Sequence, residues 1–211
     1  MAAGAPVERP RFWIIAGPNG SGKSTAYGHG DVAGLDGSVW IINPDLLTVR
    51  LRDAEKLDLA EANIAAVQRI ETWLEASIRV HQTIGVETVL SSPKYRRLVK
   101  LAKEHDFEVC FVYVFLDSAE LQLERIRARV AKGGHDVPED KVRQRRERSF
   151  DQMPWFFGQA DRAYIFENSG SEPELVGYKI FDRKESRGAF AVDDLPPELM
   201  ARLNDPKLSA I

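Results

Sequence analysis

One octet gathers the residue types that phosphate chemistry needs. Gly17-Pro18-Asn19-Gly20-Ser21-Gly22-Lys23-Ser24 fits G-x-x-x-x-G-K-[ST] at every specified position. Gly17, Gly20 and Gly22 permit positive φ, so backbone N–H groups can converge on phosphate oxygens. A helix starting near Lys23 would aim its orphan N–H groups and positive dipole end at the same oxygens. Lys23 adds a mobile point charge for the β- and γ-phosphates. Ser24 adds a hydroxyl that can ligate Mg²⁺, and Pro18, Asn19, Ser21 and Thr25 complete the cradle. Phe12–Ala16, just before, reads as a buried strand, which is the context this motif requires. The pattern predicts a nucleoside triphosphate site with a divalent cation.

Other side chains are candidates by position. Asp45 follows the apolar run Ser38–Ile42 and the pair Asn43-Pro44. Pro44 drives Asn43 out of helical geometry, so Asp45 falls at the carboxyl end of a strand, where open α/β sheets bind ligands. Two roles fit it: a reacting carboxylate, or the N-cap of a helix over Leu46–Arg52. Glu87 stands beside Thr88 in the short apolar run Val86–Leu90. A charge there is costly unless it is paired, metal-linked or at the sheet's end, which marks Glu87 as a site candidate; an edge position is the alternative. Asp117 ends the apolar run Glu108–Leu116 and invites a Walker-B reading, yet with Glu120 it also forms a D-x-x-E capping pattern, the reading adopted here. Arg125 and Arg129, four apart, share a helix face distinct from the stripe Leu123, Ile126 and Val130. Beyond the break at Gly133-Gly134, Glu139–Arg148 carries Arg143, Arg145, Arg146 and Arg148 with almost no apolar positions. So polar a helix is expected at the surface, either as a solvated charge run or as a lid over 133–148 whose arginines neutralise phosphates on closure. The neighbouring nucleotide loop favours the lid.

These residues need a scaffold, and strands alternate with helices along the chain. Leu59–Gln82 is a helix with a stripe of Ile64, Val67, Ile70, Leu74 and Ile78, and Pro93–Glu104 is another. Phe150–Phe157, rich in aromatics, is expected to pack beneath the lid. A fifth strand, Ala163–Phe166, ends in Glu167-Asn168-Ser169-Gly170, a loop on the ligand side suited to contacting adenine. Tyr178–Phe181 and Ala189–Val192 read as a small hairpin, and Pro196-Pro197 opens a helix to Leu203. The fold expected is α/β: a parallel five-stranded sheet with helices on both faces, plus a helical lid and a C-terminal hairpin and helix over 177–204. Residues 1–11 are expected to be a flexible leader and 12–211 a single domain, which a chain of 211 residues accommodates. The net charge of −3 gives no global pull toward nucleic acid or anionic membrane. Cys110 is the sole cysteine, which excludes an intramolecular disulfide. With no run of membrane-spanning length and no signal-peptide pattern, a soluble cytoplasmic protein is expected.

Taken in order, AGPNGSGKST, INPD, ETVLSS, LDSAELQLERIRARVAKGGHDVPEDKVRQRRERS and ADRAYIFENSG resemble the zeta-toxin-like P-loop kinases over about residues 12 to 170. The resemblance implies ATP and Mg²⁺ as cofactors and phosphoryl transfer to a hydroxyl of UDP-N-acetylglucosamine. It matches Lys23 and Ser24 to the phosphate-loop pair, Asp45 to the catalytic Asp and Glu87 to a substrate-contacting Glu. Arg125 or Arg129 matches an Arg that stabilises the transferring phosphate. Val89 and Ser91 stand where the toxins carry Thr and Arg, and a second phosphate-contacting Arg is replaced near His135 unless Arg143 or Arg146 substitutes. The resemblance also implies an antitoxin partner, which this chain does not encode. Three function classes follow: a small-molecule kinase with Asp45 as general base, a nucleotide-dependent ATPase or switch acting through a partner protein, and a nucleic-acid kinase, for which the composition lacks a basic surface. Neither an LSGGQ-type signature nor N-K-x-D is present.

Overall fold

The strand Arg11–Ala16 (β1) is the centre of the molecule because every residue from Phe12 to Ala16 is fully buried. Its alternation sorts the core into two faces: Phe12 and Ile14 join one cluster, Trp13 and Ile15 the other. A strand buried on both faces must be flanked on both edges. In the computed structural model, which describes residues 8–26, 32, 35, 39–133, 137–182, 187–192 and 195–207, β1 pairs in parallel with Ile84–Thr88 (β3) and Glu108–Phe115 (β4). Ile41–Ile42 (β2) extends the sheet beyond β3, and Arg162–Glu167 (β5) extends it beyond β4, both in parallel.

The sheet has seven strands rather than five. Glu174–Asp182 (β6) and Arg187–Val192 (β7) are not a separate hairpin; they continue the sheet antiparallel to β5, giving the order β2-β3-β1-β4-β5-β6-β7. The remaining elements are the helices Lys23–Ala26 (α1), Pro44–Glu55 (α2), Leu59–Arg79 (α3), Arg96–Glu104 (α4), Ala119–Ala131 (α5), Glu139–Gln159 (α6) and Pro197–Leu203 (α7). Among the described residues no helix is long and apolar enough to cross a membrane.

Three helices differ from their sequence-based expectation, each for a packing reason. In α3 the buried face is Ala62, Ala66, Ile70, Leu74, Ser77 and Ile78, whereas Ile64 is 61% exposed. Small residues at 62 and 66 let α2 cross closely with Leu51 against them, and that contact turns the expected Ile64 outward. Helix α5 is capped by Ser118, whose hydroxyl accepts from Leu121 N, so the Asp117–Glu120 capping pattern sits one residue out of register; Asp117 is exposed. Finally, 139–148 is not a body of its own. It is the first half of a continuous 21-residue helix in which Val142, Arg146, Ser149, Phe150 and Met153 are buried at three- and four-residue spacing. Arg146 conceals this stripe in the sequence because its charge is satisfied internally, by the carbonyls of Leu116 and Asp117 and by Glu198, with Phe150 beneath its guanidinium.

The end of the sheet opposite the phosphate loop is tied by charge. Residues 1–7 of the expected leader lie outside the described residues, but Arg9 donates to the carbonyls of Asp106 and Phe107, and Arg11 is already in β1. Glu108 accepts from Arg11 at 2.8 Å and Arg162 at 2.7 Å. Burial would raise its carboxyl, yet the hydrogen bonds and charges of Arg162 and Arg11 outweigh it and hold the group below the ordinary glutamate range. A depressed carboxylate adds stability above its unfolded pKa and loses it as pH falls through the folded value. Glu108→Gln is therefore expected to cost roughly 1–3 kcal/mol at neutral pH. Its deficit relative to wild type should shrink as pH falls below about 4, which melts across a pH series would measure.

Candidate active site

The site forms at the carboxyl ends of β1, β3 and β4. Gly17 leaves β1 with φ of 146°, its N–H donating to Thr88 O at 3.2 Å. A Cβ at Gly17 would lie 2.0 Å from the backbone oxygen of Val114 on β4, so the loop can turn there only because no side chain is present. Gly17→Ala is expected to destabilise the fold by roughly 1–3 kcal/mol and to misplace the loop, lowering the melting temperature and nucleotide affinity together. Gly22, with φ of 84°, is closed from the other side: its Cβ would lie 2.2 Å from Asn168 Nδ2. Asn168 follows β5, is buried, and donates to Ser21 O at 2.8 Å while its N–H bonds Phe115 O. The loop after β5 thus braces the phosphate loop through a side chain that sequence reasoning did not single out. Its only signal was an Asn at a strand's carboxyl end.

Within this frame Lys23 begins α1 and folds back, donating to the carbonyls of Gly17 at 2.9 Å and Pro18 at 3.2 Å. Burial pushes its ammonium below the ordinary lysine range and Arg129 acts the same way, while Glu87 and Asp45 pull it up. Asn19 Oδ1 and Ser21 Oγ are buried without a hydrogen-bond partner among the described residues. A loop with a desolvated cation, positive-φ glycines and polar atoms left over fits a polyphosphate.

β3 delivers the acidic wall. Register sets Glu87 beside Ile15 and Thr88 beside Ala16, the last residue before the loop. Glu87 Oε2 accepts from Ser24 Oγ and from Asn43 Nδ2, each at 3.1 Å, and its Oε1 lies 3.9 Å from Lys23 Nζ. The edge and Walker-B alternatives both fall away: β3 is an interior strand, and the carboxylate that bonds to the phosphate-loop serine is Glu87 on β3, not Asp117 after β4. Thr88 is buried, and its hydroxyl accepts from Leu90 N at 3.0 Å. Asp45 is exposed in the first turn of α2 and is not the cap; Asn43 is, its Oδ1 accepting from Asp45 N at 2.9 Å and Leu46 N at 3.2 Å. Among the described residues no three His, Cys, Asp or Glu side chains cluster to hold a metal alone. Ser24, Glu87 and Asp45 offer only oxygen, which fits a hard cation bound mainly by phosphate and water.

From α5, the main chain at Gln122 and the side chain of Ile126 pack against Gly20. Arg125 reaches the carbonyls of Ser169 at 3.3 Å and Gly170 at 3.5 Å, near Gly22. Arg129 is close enough to Lys23 for its charge to be felt. Two arginines of α6, Arg143 and Arg146, are engaged elsewhere. Arg143 pairs with Glu120 at 2.9 Å on the surface, and Arg146 is 3% exposed and bonded as described above. His135 lies outside the described residues.

The matched family model is described as AAA domain (AAA_33) and covers residues 12–151. An uncharacterized protein of Haemophilus influenzae is 29% identical over 144 residues, spanning 65% of this chain and 98% of that protein. Among solved structures, the AvrRxo1-ORF1:-ORF2 crystal structure with ATP aligns with a TM-score of 0.66 at 19% identity, covering 96% of this chain and 66% of that chain. The PezAT chromosomal toxin–antitoxin system of Streptococcus pneumoniae aligns with a TM-score of 0.58 at 14% identity, covering 84% of this chain and 74% of that chain. At these identities the solved structures establish a shared α/β fold. The family match takes in the phosphate loop, Asp45, Glu87, Arg125 and Arg129, and on that ground the chain belongs to the AAA domain family of P-loop proteins.

Proposed function

We propose that the protein is an ATP-dependent kinase that moves the γ-phosphoryl group onto a hydroxyl of a small molecule. The observation that carries this reading is Asp45: an exposed carboxylate within electrostatic reach of buried Lys23, with its backbone N–H held by a cap. In the step proposed, the acceptor oxygen bonds to the γ-phosphorus as the bond to the β–γ bridging oxygen breaks. The hydroxyl proton passes to Asp45, and ADP leaves. Lys23 and Arg129 offset charge on the transferring oxygens, and Arg125 approaches from the side of the 168–170 loop. Mg²⁺, held by Ser24 and phosphate, would supply further charge neutralisation at the β- and γ-oxygens. Glu87 and Thr88 would border the acceptor.

A UDP-activated sugar is the acceptor class supported by the zeta-toxin resemblance. A protein partner is supported by the two-component assemblies in which both structural relatives were solved. The test is ADP production with and without sugar nucleotides and other hydroxyl metabolites. Slow turnover alone, with saturable stimulation by one acceptor class, is expected. Turnover indifferent to every acceptor but raised by a protein would instead make the chain a switch.

A further inference from the structure

Asn43 spends both ends of one amide on the site. Its Oδ1 caps α2 through Asp45 N and Leu46 N, and its Nδ2 donates to Glu87 Oε2 at 3.1 Å. The amide orientation is fixed from both sides, since two N–H donors face the oxygen and a carboxylate faces the nitrogen. The same Glu87 oxygen takes the Ser24 hydroxyl hydrogen at 3.1 Å. A hydroxyl that donates toward Glu87 turns its lone pairs the other way, free for a cation. Sequence reasoning treated Asn43 only as the residue before Pro44; its side chain joins β3 to the start of α2, and Glu87 links both to Ser24 of α1.

We propose that Asn43 is a positioning residue that locks Glu87, the Ser24 hydroxyl and the Asp45-bearing turn of α2 into one unit. This rests on the kinase reading for what the unit does, not for its existence. A cap needs only a side-chain oxygen, and Ser serves as well as Asn there. Reaching Glu87 needs the longer amide. Capping and positioning are therefore separable by substitution.

The experiment compares Asn43→Ser, which keeps a capping oxygen and loses the reach, with Asn43→Ala, which loses both. Melting temperature should follow the cap, with Ser near wild type and Ala below it. The turnover number should follow the amide, falling roughly tenfold or more in both variants, the scale of a lost hydrogen bond to a charged group, while KM for ATP changes little. A readout independent of turnover is Mn²⁺ affinity in the presence of a non-hydrolysable ATP analogue, expected to weaken about tenfold in both. If wild type phosphorylates no acceptor, the kinase reading fails, yet this Mn²⁺ measurement still decides the role of Asn43. Wild-type turnover and wild-type Mn²⁺ affinity in Asn43→Ser would leave Asn43 as a helix cap and overturn the proposal.

Discussion

Lys23→Met is expected to weaken ATP binding by roughly 10²-fold and to reduce turnover further, because two charge-assisted contacts to the β- and γ-phosphates are lost from a desolvated loop. The ammonium is buried, pushed below its ordinary range by that burial, and parked on two loop carbonyls. Phosphate would replace those carbonyls as its partner. Methionine preserves the stem's volume, so the loss reports charge rather than packing. Without the lysine, Glu87 keeps its bonds from Ser24 and Asn43, which should hold the fold together. Calorimetric titration of ATP into the variant, beside a thermal melt, checks both statements. Undiminished affinity would remove Lys23 from the site.

The second large effect is expected at Asp45. Asp45→Asn should lower phosphoryl transfer roughly 10²-fold or more, the scale of a lost general base, with ATP affinity retained. Its melting temperature should stay at the wild-type value, since the oxygen that caps α2 belongs to Asn43. Full turnover in Asp45→Asn would mean that another group takes the proton.

How far these residues could be read from sequence follows from how local their determinants are. The phosphate loop was fully legible because its requirements are met by eight consecutive residues. Asp45 was placed at the right strand end by Pro44, but its role stayed divided until Asn43 proved to be the cap. Glu87 was flagged by the cost of a charge in an apolar run; its partners Ser24 and Asn43 lie 63 and 44 residues away, and only the sheet order brings them together. Arg146 shows the opposite failure. Counted as a polar position it made Glu139–Arg148 look like a surface helix and favoured a lid, whereas the carbonyls that satisfy it come from just after β4, some 30 residues earlier. Long-range satisfaction of a charge leaves no periodic trace. The seven-stranded sheet was missed for a related reason: a hairpin's own pattern does not reveal which edge it joins.

A kinase of this kind must leave the γ-phosphoryl group on an alcohol, and a label on that group follows it there. With ATP labelled in its γ-phosphoryl oxygens and a pool of hydroxyl metabolites that includes UDP-sugars, the label is expected in one phosphomonoester, formed one-for-one with ADP and lost in Asp45→Asn. Label recovered only in inorganic phosphate, at a rate no metabolite changes, would contradict the kinase reading.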